Sequence, residues 1–295
     1  MGTSNSYPGP GDKTPLVPSW LGSGAPAPPP PAPSPAQPPP VPNDQPVPVP
    51  APPALPPIPI AAAAHRFLTA RNNFSRFASS GGTDRKSLGR AMSNYVSTAA
   101  GGSRTAAQRL GASRTAGANL LNFLSGAAAN GPREALRSLN LQGLAGRPIE
   151  EVFLGLIDYV CEGQDGGTLD EGIAREAFIE TITDLAENGI TDLDTLTPEQ
   201  MQTIFELYAA HAIEARLCND IGTKAITLPS DPTQAATVQE QLLDFIRGSV
   251  ADALVTAQIN LQALTPERVL GIVTGVYERA FGVLQSMGEA EADKQ

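Results

Sequence analysis

Pro148-Ile149-Glu150-Glu151-Val152-Phe153-Leu154-Gly155-Leu156-Ile157-Asp158-Tyr159-Val160-Cys161 decides the fold class. Ile149, Val152, Phe153, Leu156, Ile157 and Val160 recur at spacings of three and four, which puts them on one face of an amphipathic α-helix. A half-buried strand needs period two, and that period is nowhere sustained in the chain. The helical pattern continues downstream. Asp165-Gly166-Gly167 makes a turn, and Thr168-Leu169-Asp170-Glu171 has the form of a capping box. It opens a helix through Ile173, Phe178, Ile182 and Leu185 that stops at Gly189. Thr197-Pro198-Glu199-Gln200 repeats the device with proline at the first helical position, ahead of Met201, Ile204, Phe205, Tyr208 and Ala212, to Cys218. Asp231-Pro232 starts another helix (Val238, Leu242, Ile246, Val250, Leu254), and Thr265-Pro266-Glu267 starts the last (Val269, Val273, Val276, Ala280, Leu284). Each start joins a cap to an acid that suits the helix dipole. The expected fold class is all-α: a helical bundle.

Upstream, residues 60–147 read as a basic helical segment. Ala61-Ala62-Ala63-Ala64 leads into Phe67, Leu68, Arg71, Phe74 and Phe77. Gly81-Gly82 interrupts, and Asp84 is placed to cap a second helix with Leu88, Met92, Tyr95 and Val96. Ser103-Arg104-Thr105-Ala106 is echoed ten residues on by Ser113-Arg114-Thr115-Ala116. Arg104, Arg109 and Arg114 are the candidate basic surface, for nucleic acid or for an acidic protein face.

The formal net charge of −10 hides a division. Residues 60–147 hold twelve Lys and Arg against two acids, and residues 148–295 hold seven against twenty-six. Such asymmetry points to a charged partner or to pairing of the two halves.

Of the 29 prolines, 23 lie between Pro8 and Pro59. Runs such as Pro28-Pro29-Pro30-Pro31 and Pro46-Val47-Pro48-Val49-Pro50 favour polyproline II, so residues 25–59 are expected to be a stiff linker. At 3.1 Å per residue it extends to at most roughly 110 Å. Residues 1–24 are too rich in Gly, Pro and Ser for a helix or central strand and are expected to be a disordered recognition peptide. They nevertheless carry Tyr7, Leu16-Val17 and Trp20, the single tryptophan of the chain. Met removal leaves Gly2 with an uncrowded α-amine. The four expected parts are thus 1–24, 25–59, 60–147 and 148–295.

The inventory of reactive groups excludes most enzyme classes. No P-loop, G-x-G-x-x-G or G-x-S-x-G occurs. His65 stands beside Arg66, and His211 lacks a Cys or second His at ligand spacing, so both read as packed or surface residues. Cys161 and Cys218 end predicted helices as small buried hydrophobes; two cysteines make no disulfide framework and fit a reducing compartment. The loop Asp165–Glu176 has the length of a calcium loop, but Gly167 and Leu169 fill ligand positions and Asp170 replaces the required glycine. Glu150, Glu151, Asp158, Glu180, Asp184 and Glu187 read as solvated faces. Neither a secretory signal nor an apolar run long enough to span a bilayer is found, so a cytoplasmic, non-enzymatic protein without membrane contact or cofactor is expected.

Met1-Gly2-Thr3-Ser4 with Tyr7, Pro10-Gly11 and Leu16-Val17-Pro18-Ser19-Trp20-Leu21 resembles the start of the B component of bacterial Qat anti-phage defence systems. Gly102-Ser103-Arg104-Thr105-Ala106 through Ser113-Arg114 to Leu120-Leu121-Asn122-Phe123-Leu124 is similar to the same family. The resemblance implies three companions: a P-loop ATPase-like protein, a QueC-like protein and a TatD-like nuclease. It also implies no catalytic residues in the B component itself. QueC-like enzymes use ATP to activate a deazapurine carboxylate for coupling to an amine. Gly2 is then the candidate acceptor of a 7-deazapurine, with Thr3, Ser4 and Tyr7 as recognition contacts and Trp20 as an anchor. Two other readings stand beside it. One is a scaffold joining the ATPase and the QueC-like protein without modification; the other is a nucleic-acid sensor using Arg104, Arg109 and Arg114.

Overall fold

Chemistry at the helix starts sets the architecture. The computed structural model describes residues 65–161, 167–222, 229–258 and 264–294. The Thr168 hydroxyl accepts the Glu171 backbone N–H while the Glu171 carboxylate accepts that of Thr168, closing the capping box. Thr197 and Gln200 close the second one in the same way. Asp84 accepts from the Ser87 N–H and Asp231 from the Thr233 N–H. Each side chain satisfies a donor that the helix itself leaves orphaned. Two starts differ from the expectation. Pro148 and Thr265 make no side-chain cap bond; the Ile149 N–H is instead taken by the Thr191 carbonyl, 3.2 Å away.

Among the described residues there are ten α-helices and no strand, so the all-α bundle is found. They are α1 (Leu68–Ser79), α2 (Arg85–Asn94), α3 (Ser103–Gln108), α4 (Ala112–Asn130), α5 (Pro132–Ser138), α6 (Ile149–Val160), α7 (Leu169–Glu187), α8 (Pro198–Ile221), α9 (Pro232–Ala257) and α10 (Pro266–Asp293). A π-helical turn, Tyr95–Ala99, extends α2. α8 runs past Cys218 to Ile221, so that cysteine sits within the last turn. The peptide 1–24, the linker 25–59 and the opening Ala61–Ala64 lie outside the described residues.

The central element is α4, against which α5, α6, α7, α8 and α10 all pack. Its small residues make this possible. A Cβ on Gly117 would stand 3.2 Å from the Tyr208 ring and 3.4 Å from Val273, so glycine lets α8 and α10 reach the α4 backbone. The small-residue stretch is therefore core: Ala106, Ala107, Leu110, Ala116, Leu120, Leu121, Phe123 and Leu124 are all buried. An aromatic chain ties four helices together. Phe123 meets Phe153 at 6.5 Å edge-on, Phe153 stacks on Phe178 at 5.8 Å, and Phe178 meets Tyr208 at 6.3 Å.

On α6, Ile149, Val152, Phe153, Leu156 and Val160 are buried and Ile157 packs against the core, while Leu154, off the stripe, is 54% exposed. One hydrophobic cluster draws on residues from Ala70 to Leu284. The basic stretch therefore folds onto the acidic helices of its own chain. The closest approach joins α2 to α10: a Cβ on Gly89 would fall 2.6 Å from the Gly288 carbonyl oxygen, and one on Gly288 would fall 2.6 Å from that of Gly89. Glycine inside a helix costs about 1 kcal/mol relative to alanine, and here it permits backbone-to-backbone contact.

Candidate functional site

Gly2, Thr3, Ser4, Tyr7 and Trp20 lie outside the described residues. The three arginines of the candidate basic surface occupy different environments. Arg104 is exposed on α3. Arg114 on α4 buries its Nε without a hydrogen-bond partner. Arg109, in the turn after α3, is committed inside the molecule. Its guanidinium pairs with Asp220 at 3.2 Å, donates to the Ala99 carbonyl at 3.4 Å and lies 5.4 Å over the Phe67 ring.

Asp220, near the end of α8, is the focus of a polar corner. It accepts the Tyr95 hydroxyl at 3.1 Å and is paired with Arg109, while Arg216 sits one turn back with its Nε 3.3 Å away. Arg216 reaches on to Asp170 at 2.6 Å. Gly111, at φ +48°, stands where any Cβ would run into the Asp170 carboxylate. Arg71 donates to the Ile221 carbonyl at 2.9 Å, closing the end of α8. Burial first, and the nearby Asp220 charge second, push the Tyr95 phenol far above its ordinary value, so it remains a donor. This corner binds the 60–147 stretch to the acidic helices by charge.

A second polar group, on α7 and α8, went unnoticed in the sequence. His211 is 6% exposed, with Nε2 2.8 Å from Asp184 and Nδ1 3.7 Å from Glu214. Asp184 is therefore no solvated acid, contrary to its expected role. Burial alone would lower the imidazole pKa, but the Glu214 and Asp184 carboxylates outweigh it and hold the ring above its ordinary value. Burial pushes the Cys161 thiol up to about 11 and that of Cys218 up to about 12, which keeps both protonated at neutral pH. Both are half-buried rather than fully so. No group of three His, Cys, Asp or Glu with metal-binding geometry occurs among the described residues.

A family model described as "Qat anti-phage system associated protein QatB" matches residues 101–284, from the start of α3 through most of α10. The chain belongs to the QatB family. It is a component of a Qat anti-phage system and works beside that system's other components. Searches of curated proteins and of solved structures return no match. Among the described residues, no helix is long and apolar enough to cross a membrane.

Proposed function

We propose that this QatB-family chain holds out its N-terminus, Gly2 after Met removal, to a QueC-like partner, which binds it and couples it to a 7-deazapurine. Thr3, Ser4 and Tyr7 are the recognition contacts, Trp20 is the anchor, and residues 25–59 are the stalk. The partner uses ATP to activate the deazapurine carboxylate. The neutral α-amine attacks the activated carbonyl carbon, an amide bond forms, the activating group leaves with its electron pair, and the amine gives up a proton.

One comparison supports this reading. An α-amine titrates near 7.7–8.0, whereas the two thiols are held at about 11 and about 12. At pH 7 roughly a tenth of such an α-amine is neutral and nucleophilic, against about one part in ten thousand or less of either thiol as thiolate, which favours Gly2 over the two cysteines as acceptor. The chain then acts as acceptor rather than catalyst and carries no cofactor; ATP and the deazapurine belong to the partner. A P-loop ATPase-like protein and a TatD-like nuclease complete the set, in the bacterial cytoplasm.

Intact-mass spectrometry of the chain, expressed with and without the QueC-like protein, tests the proposal. A mass gain that needs the partner and maps to the first peptide is the expected result. An unchanged Gly2 in cells that still resist phage would end it. If deletion of residues 1–22 then weakened a pull-down of the QueC-like protein, the peptide would be a docking element without chemistry.

A further inference from the structure

The face formed by α1, α7, α8 and α9 carries a groove with two unlike ends. Two adjoining cavities, of about 490 and about 420 Å³, share Glu214, Cys218, Ala236 and Gln239 along their common edge. The larger is apolar, lined by Phe74, Ala78, Leu217, Val238 and Leu242. The smaller carries Glu176, Glu180, Asp184, Glu214 and Glu240 around His211. Among the described residues, neither cavity has a Lys or Arg in its lining.

The acids are arranged at a cost to the fold. Glu176, Glu180 and Asp184 follow one another at intervals of four on α7, and like charges so spaced on a helix repel. Asp184 is engaged by His211. Glu176, Glu180 and Glu240 have no ion-pair or hydrogen-bond partner among the described residues, although acids elsewhere take arginines, as in Arg175–Asp158 and Arg247–Glu206. Carboxylates without a cation among the described residues, beside an open apolar trench, fit an occupant that is apolar on one part and cationic on the next.

We propose that this groove docks a basic amphipathic segment of another protein component of the Qat system, with bulky apolar side chains in the Phe74–Leu242 trench and Lys or Arg at the Glu176–Glu240 end. The mode is that of a helix laid in a groove, where apolar anchors give affinity and the charged flank sets orientation and partner choice. Docking in this groove does not depend on Gly2 chemistry and is measured without the QueC-like protein.

The test is fluorescence anisotropy of the full chain with a labelled helical peptide, leucine on one face and lysine on the other. Saturable binding is expected. Ala236→Trp, at an exposed position on the shared edge, should weaken it about tenfold or more, the loss of roughly 1.4 kcal/mol expected from filling an anchor site. The exposed triple change E176K/E180K/E240K should do the same, with both variants melting like the parent. Peptides with lysine changed to glutamate, or leucine changed to serine, should not bind. Equal binding of the serine peptide would reduce the effect to bulk charge and overturn the proposal. So would unaltered binding by both variants, or a self-associated chain that Ala236→Trp converts to monomer, which would make the groove a contact between copies.

Discussion

At the α2–α10 crossing, Gly89 and Gly288 set backbone against backbone, and charge enters only at the edge, where Arg85 stands 3.9 Å from Glu291. At the Asp220 corner, two arginines, a tyrosine hydroxyl and a carboxylate meet with side chains alone. Both junctions fasten the basic stretch to the acidic helices. Composition foretold only the second kind, because net charge is additive along a sequence whereas close approach is not. The contrast separates two contributions to cohesion. Charge chooses the partner and its orientation at one buried point, while shape, repeated along the seam and through α4, supplies most of the burial.

Substitution at the crossing should have the largest effect. In Gly89→Val, the new Cβ meets the Gly288 carbonyl oxygen at 2.6 Å and the Ala292 nitrogen at 2.9 Å, both backbone atoms that cannot swing away. A loss of roughly 3 kcal/mol is expected, read as a lower melting temperature by circular dichroism. A variant melting like the parent would mean that the helices do not cross there. At the charged junction, Asp220→Ala leaves Arg109 and the Tyr95 hydroxyl without their shared acceptor. Since Asp220 is 6% exposed but Arg109 21%, the expected loss is smaller, roughly 2 kcal/mol by urea unfolding.

Gly111→Ala should come third, at about 1 kcal/mol, because it strains a backbone at φ +48° and displaces Asp170 from Arg216. The two acidic helices α7 and α8 provide the weakest case, and a pH-dependent one. His211 has a raised folded-state pKa, so its stabilising contribution is complete below the unfolded value near 6.5 and is lost as pH rises through the folded value. The urea midpoint of the parent should exceed that of His211→Gln most at about pH 6, and the gap should narrow as the pH rises. A gap that widened with pH would reverse the assignment.

What was legible in the sequence was whatever acts over one helical turn. Thr168 with Glu171 and Thr197 with Gln200 lie three residues apart, so the caps could be read directly, and the stripe from Ile149 to Val160 fixes its own buried face. What escaped depends on distant partners. Gly89 looks like a weakness in α2 until Gly288 is brought beside it. Arg109 looks like free surface charge until Asp220 arrives from the far end of α8. His211 and Asp184 are 27 residues apart on different helices, with no motif to announce them. The long helix α4 was obscured because its alanines and glycines suit close packing as well as loops, and local propensity does not distinguish the two.

The seam between α2 and α10 bears on where this protein begins and ends as a folding unit. The family match spans 101–284, and both glycines fall outside it, one on either side. A fragment trimmed to the matched residues would lose the two surfaces that clasp each other, and with them the cover that α2 gives α10. Recognisable ancestry and mechanical integrity thus have different borders in this chain, and a stable core is to be cut by the second.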